Sequence, residues 1–136
     1  IKWIGVHDAA RPCLTKQSFD TLVAAADRTG AAILASPIRA TVKRCSNKDQ
    51  IVETIPREGL WQAQTPQLFT ASILKSAYAK MNGKPTDDSQ VVEQSGVSVL
   101  CVEGPETNIK ITTKEELKIA ESFLKVPQKA RDNPFF

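Results

Sequence analysis

The sequence predicts an α/β domain built on an at least partly parallel sheet, and three observations predict it. Trp3-Ile4-Gly5-Val6 and Ala31-Ala32-Ile33-Leu34-Ala35 are short apolar runs of the kind that form buried strands. Between them Phe19, Leu22, Val23 and Ala26 recur at i, i+3, i+4 and i+7, which predicts an amphipathic helix over residues 16–28. Strand, helix and strand within about 35 residues make a right-handed βαβ unit. Thirdly, the first strand runs directly into the polar loop His7-Asp8-Ala9-Ala10-Arg11-Pro12. In open α/β sheets ligands bind at that carboxyl edge.

Taken in order, Thr15 suits the N-cap of the first helix and Gly30 a left-handed turn at its end. The second strand stops before Pro37. Residues 39–58 change character. Thr41-Val42-Lys43-Arg44 and Ile51-Val52-Glu53-Thr54 are β-prone but polar, and Ser46-Asn47-Lys48-Asp49 separates them as a turn. A two-stranded hairpin with so little apolar material is marginal in water. It is expected to be an arm docked on a second subunit.

Leu60-Trp61-Gln62-Ala63-Gln64 returns to the body, and Thr65-Pro66-Gln67 is expected to break it. A helix over residues 70–81 carries Leu74, Tyr78 and Met81 on one face, closed by Asn82-Gly83. Thr86 suits the N-cap of a third helix, with Asp87 and Asp88 at the positive end of its dipole and Gly96 at its end. Residues 97–102 read as a strand. Thr113-Lys114-Glu115-Glu116 is a capping box opening a last helix, with Leu117, Ala120 and Leu124 expected inward. Residues 1–126 then read as the C-terminal part of a single domain, with 39–58 as its hairpin arm, and residues 127–136, rich in proline and charge, as a flexible tail.

The 136 residues suffice for a real core. A net charge of +3, without a basic stripe interleaved with aromatics, argues against nucleic acid. No apolar run approaches the roughly 18 residues of a membrane span. Cys13, Cys45 and Cys101 are odd in number and lack metal-ligand spacing, which suits reduced thiols in a cytosol-like compartment. The chain opens on Ile1 inside a core strand, so an N-terminal part of the fold is expected to lie upstream.

The chemistry is narrowed by elimination. His7 is the single histidine and reads as structural, which disfavours Ser-His-Asp hydrolysis. Neither a GxGxxG nor a Walker A loop occurs. What remains are polar loops at strand ends and helix starts, holding Asp8 and Arg11, Thr41, Arg57, Thr65 and Gln67, Thr86 to Asp88, and Asn108-Ile109-Lys110. Arginine, lysine and helix-opening threonine suit phosphate oxygens, whereas aspartate suits Mg²⁺ or a hydroxyl. Phosphoryl or nucleotidyl transfer needs little more than such a set.

Four motifs then occur in one order: His7-Asp8-Ala9-Ala10-Arg11-Pro12, Leu60-Trp61-Gln62-Ala63-Gln64-Thr65-Pro66-Gln67, Thr86-Asp87-Asp88 and Asn108-Ile109-Lys110-Ile111-Thr112. From about Ile4 to Leu124 the chain resembles the C-terminal two-thirds of the 2-C-methyl-D-erythritol 4-phosphate cytidylyltransferases. The resemblance implies a Rossmann-like nucleotidyltransferase sheet, mostly parallel, with the hairpin as a dimerisation arm and the N-terminal part of the fold absent. It implies a cytoplasmic or plastid-stromal enzyme joining CTP and methylerythritol phosphate with Mg²⁺.

Carried over by position, the resemblance implies that Asp8 and Lys110 would be the catalytic residues. Asp8, Thr41, Arg57, Thr86 and Lys110 would bind the acceptor, and Ala9 and Arg11 would shape the nucleotide loop. Asp8 and Asn108 would stand near the metal. Thr41 and Arg57 would serve a partner subunit's site. The family's glycine-rich CTP loop has no counterpart here, so this chain alone is expected to be inactive. Ala40 stands where the family's arm often carries an acid. Ribitol 5-phosphate cytidylyltransferases share several of these elements, and a non-catalytic dimerising module is the reading from another class.

Overall fold

A computed structural model describes residues 1–125, and the expected tail at 127–136 lies outside them. Ten elements follow in order: β1 (Trp3–Val6), α1 (Lys16–Thr29), β2 (Ala31–Pro37), β3 (Val42–Cys45), β4 (Ile51–Ile55), β5 (Trp61–Thr70), α2 (Ala71–Ala79), α3 (Asp88–Gln94), β6 (Leu100–Glu103) and α4 (Lys114–Leu124). The main sheet has the order β1-β5-β2-β6. Strands β1, β2 and β6 share one direction, and β5 is inserted antiparallel between β1 and β2. The expected βαβ unit therefore exists with a fourth strand in its middle.

β2 explains the layering. Its apolar run is buried on both faces, as a strand covered by helices on each side must be. Ala31, Ile33 and Ala35 join Phe69, Leu74, Ala77, Val91 and Val92 under α2 and α3. Ala32 and Leu34 join Leu22, Ala25, Ala26, Leu68 and Val102 under α1. Strand alternation thus divides one segment between two cores.

Caps fall where the sequence puts them on α1 and α4. The Thr15 hydroxyl accepts the Ser18 N–H, and Gly30 takes a left-handed φ of 81°. Thr113 and Glu116 form the reciprocal capping box. Which faces are buried differs. On α1 the inward residues are Leu22, Ala25 and Ala26, leaving Phe19 and Val23 about 40% exposed. On α4 only Ala120 is fully buried, and Leu117 and Leu124 stay half-exposed. The helix expected at 70–81 ends at Ala79, with Leu74 buried, Tyr78 exposed and Met81 exposed beyond its end.

Three further expectations are corrected. Thr65-Pro66-Gln67 does not break the chain, because β5 continues through it. Its register against β2 shifts between Ile33 and Ala35, and this irregularity accommodates Pro66, which has no N–H for a ladder. The N-cap of α3 is Asp87, not Thr86, its carboxylate accepting the Gln90 N–H at 2.9 Å. The strand expected at 97–102 is Leu100–Glu103, with Val97 and Val99 packed on the core before it.

The hairpin stands apart as a separate two-stranded antiparallel sheet, β3–β4, turning through Asp49 at φ 57°. The Ser46 N–H closes the turn on the Gln50 carbonyl at 2.9 Å. Arg44–Glu53 (2.5 Å) and Lys43–Thr54 (2.7 Å) cross between its strands, and Ile51 and Val52 are each 63% exposed. Cross-strand pairs of this exposure contribute a few tenths of a kcal/mol each, about 0.2–1.

Candidate active site

The site forms where two loops meet over the carboxyl edge of β1. The first, residues 7–11, turns sharply, with the Arg11 N–H on the Asp8 carbonyl at 3.0 Å. The second, residues 104–111, follows β6. They are zipped together by the Ile111 N–H on the Ala10 carbonyl (2.8 Å) and by Arg11 Nη1 on the Asn108 carbonyl (2.7 Å).

At the junction one carboxylate meets two cations. Asp8 Oδ2 lies 3.2 Å from Arg11 Nε and 3.3 Å from Lys110 Nζ. The Asp8 and Arg11 side chains are 32% and 11% exposed, and Lys110 49%. Burial pushes the Asp8 carboxyl upward, but hydrogen bonds and charge from Lys110 and Arg11 outweigh it and hold the group below the usual carboxylate range. Two cations against one anion leave a net positive edge, which suits phosphate oxygens.

Thr65, at the irregular step of β5, is the post on which the first loop hangs. Its hydroxyl accepts the Asp8 N–H at 2.9 Å and lies 2.9 Å from His7 Nδ1. His7 Nε2 is 3.1 Å from the Arg11 carbonyl, which can only accept. In the neutral ring Nε2 therefore carries the proton and Nδ1 accepts from the threonine hydroxyl. His7 thus ties both ends of the loop to β5, a role consistent with its reading as structural.

Asn108 is fully buried beneath Lys110. Its Nδ2 donates to Gln64 Oε1 (3.1 Å) and to the Thr65 carbonyl (2.9 Å), and its Oδ1 has no hydrogen-bond partner among the described residues. Gln64 in turn donates to the Pro105 carbonyl at 3.1 Å. Gly104 permits this approach, since a Cβ there would stand 2.6 Å from Gln64 Oε1.

Two open cavities share the cation pair. One, of about 310 Å³, is lined by Asp8, Arg11, Thr65, Thr86, Asp88 and Lys110. The other, of about 560 Å³, is lined by Arg11, Arg39, Ala40, Asn108, Lys110 and Thr112. The structure thus brings together Asp8, Arg11, Thr86, Asn108 and Lys110. Ala9 is exposed in the turn and lines neither cavity. Thr41 and Arg57 also line neither; Arg57 donates to the Arg39 carbonyl, and Arg39 pairs with Glu106 at the base of the arm.

No group of three or more metal-type ligands exists among the described residues. Mg²⁺ needs only one or two carboxylates when substrate phosphates supply the rest, and Asp8 fits that demand. Asn108 offers a buried oxygen with its amide already committed on the other side. The sequence reading missed Gln64 as part of the site. Its signal is local: two glutamines flank Thr65-Pro66 in a strand whose next residues, Leu68 and Phe69, are buried core.

Known proteins resemble this chain along most of its length. The family model for 2-C-methyl-D-erythritol 4-phosphate cytidylyltransferase matches residues 1–126. The enzyme of that name from Acinetobacter baumannii is 47% identical over 126 residues, covering 90% of this chain and 53% of the relative. That from Bacillus velezensis is 45% identical over 124 residues, covering 88% and 53%. Among solved structures, the Thermus thermophilus enzyme superposes with a TM-score of 0.84 at 33% identity, covering 92% of this chain and 63% of that one. The Francisella tularensis enzyme gives 0.78 at 36% identity, covering 89% and 58%. The chain therefore spans about half the length of the curated relatives it matches. On the family match and these identities, the chain belongs to the 2-C-methyl-D-erythritol 4-phosphate cytidylyltransferase family.

Proposed function

We propose that the protein containing this chain transfers a cytidylyl group from CTP to 2-C-methyl-D-erythritol 4-phosphate, giving the CDP-alcohol and pyrophosphate in isoprenoid biosynthesis. The observation that carries the reading is the junction of two cavities at one cation pair, Arg11 and Lys110, with Asp8 between them. Two phosphorylated substrates brought edge to edge need this arrangement.

The acceptor's phosphate oxygen attacks the α-phosphorus of CTP, and the bond from that phosphorus to the pyrophosphate oxygen breaks. Catalysis is then positioning plus neutralisation of charge on the α-phosphate oxygens. Lys110 supplies the mobile cation and Arg11 the fixed one, anchored by its bonds to Asp8 and Asn108. Asp8 orients both and is the side chain suited to a divalent cation. When bound, Mg²⁺ supplies further neutralisation of the triphosphate. Asn108 holds the Lys110 loop onto β5, and Thr86 contributes a hydroxyl to the acceptor side. Thr41 and Arg57 act across a homodimer, an assignment supported by their exclusion from both cavities and by the exposed apolar residues of the arm. The chain of 136 residues by itself is proposed to be inactive, since it contains no glycine-rich phosphate loop. The reaction is assigned to the cytoplasm, in keeping with the bacterial enzymes the chain resembles. Among the described residues no helix is long and apolar enough to cross a membrane.

The test is pyrophosphate release by the intact gene product given Mg²⁺, CTP and one acceptor at a time. Release with methylerythritol phosphate and not with ribitol 5-phosphate is the expected outcome. Release with ribitol 5-phosphate alone would move the protein to the sister activity, and silence with both would leave the dimerising-module reading.

A further inference from the structure

We propose that Gln67 and Asp87 are positioning residues, a buried amide paired with a half-buried carboxylate that holds Thr86 against the acceptor's phosphate. The inference rests on the reading of that cavity as the acceptor site. Gln67 is 1% exposed, on the central strand β5. Its Nε2 donates to Asp87 Oδ2 at 2.8 Å, and its Oε1 accepts the Ser89 N–H at 2.9 Å. Asp87 also takes the Gln90 N–H (2.9 Å) and the Ser89 hydroxyl, 2.9 and 2.8 Å from its two oxygens. Thr86, one residue before, has its N–H and its hydroxyl both turned onto Gln90 Oε1, at 2.7 and 3.2 Å.

Capping alone does not require this arrangement. Asp87 caps α3 through Gln90 without any help from the sheet. The bonds from Gln67 add something else, a link between the N-terminus of a seven-residue helix and a strand twenty residues earlier. That link fixes where Thr86 stands relative to Asp8, Arg11 and Lys110 on the same cavity wall. Gln67 is buried and can leave neither end of its amide unpaired without cost, so the pair is sensitive to the sense of its hydrogen bonds.

That sensitivity supplies the test. In Gln67→Glu two carboxylates face each other. In Asp87→Asn an amide nitrogen meets the Gln67 nitrogen, and flipping Gln67 only moves the clash to the Ser89 N–H. In the double variant Gln67→Glu/Asp87→Asn the bond is reversed. The new amide at position 87 donates to the new carboxylate at position 67, which still accepts the Ser89 N–H and gives up only the long 3.4 Å bond to the Gln64 carbonyl, and the pair keeps one negative charge. Steady-state kinetics of the intact gene product should show each single variant raising the acceptor KM about tenfold or more, with the CTP KM little changed. The reciprocal double variant should recover to within about threefold of the parent. Amide hydrogen exchange over residues 84–92 follows the fold in parallel.

Unchanged acceptor KM in the single variants would overturn the proposal. So would a double variant that regains exchange protection but not acceptor affinity, since the pair would then serve the helix alone. If the single variants fail to fold, the double variant decides: folded with parental acceptor KM supports the pair, and unfolded overturns it. A parent enzyme without turnover on either acceptor would fail the cytidylyltransferase reading itself, a result distinct from a parent that turns over and a swap that does not recover.

Discussion

Lys110→Ala in the intact enzyme is expected to lower kcat by about 10²–10³-fold, the usual loss when one preorganised group facing a developing oxyanion is removed. Lys110 is half-exposed and reaches Asp8 across 3.3 Å, so it can leave the carboxylate for a phosphate without breaking the loop. The Arg11 and Asn108 bonds remain, and stability should change little. The pH dependence carries a second signature. Burial raises the Asp8 carboxyl, and Lys110 and Arg11 together bring it below its ordinary value. A carboxyl lowered by folding contributes stability present above its unfolded value and lost as pH falls through the folded one. Removing Lys110 takes away one of the two partners that lower Asp8 in the free enzyme, so the acid limb of the kcat/KM profile should move to higher pH. A kcat within about threefold of the parent would contradict the assignment.

Phe69→Ala should cost about 3–5 kcal/mol of stability. Phe69 is completely buried on β5, opposite Ile4 of β1 and Ala31 of β2. It packs with Leu74, Val91 and Val92, so its loss opens a cavity between the sheet and both α2 and α3. Against a typical total of about 5–15 kcal/mol the variant would be close to unfolding. Urea denaturation of the intact protein should show a lowered midpoint with unchanged slope. A change below about 1 kcal/mol would mean that β5 is not the centre of the core. The same strand carries Thr65 and Gln67, so partial unfolding there disables the site before any catalytic group is touched.

What the sequence made legible was what is decided locally. Thr15 and Gly30 bracket α1 because a cap needs only partners three or four residues away. The capping box at Thr113 is legible for the same reason. Asp8, Arg11 and Lys110 could be placed together because each follows a strand, and the edge of an α/β sheet gathers such loops. The failures are nonlocal. Thr65-Pro66 reads as a break until β1 and β2 are paired on both sides of β5 and a register shift absorbs the proline. Thr86 and Asp87 are both good caps by type, and the link from Asp87 to Gln67, twenty residues earlier, cannot be read from either neighbourhood. Gln64 and Asn108 are separated by 44 residues, so nothing in either neighbourhood announces their bond. The faces of α1 and α4 were misassigned in part because periodicity gives a stripe but not which of its flanks the sheet covers.

Completion of the site across subunits is tested most directly by mixing two inactive variants. Lys110→Ala removes one of the two cations of the sheet edge, and Arg57→Ala removes the arm's proposed contribution to the neighbour. Heterodimers isolated through two affinity tags would contain one site with both residues intact and should show about half the activity of the parent dimer, by the symmetry of an isologous pair. Heterodimers no more active than either parent variant, or a protein that forms no dimer, would contradict a site shared between the sheet edge of one subunit and the arm of the other.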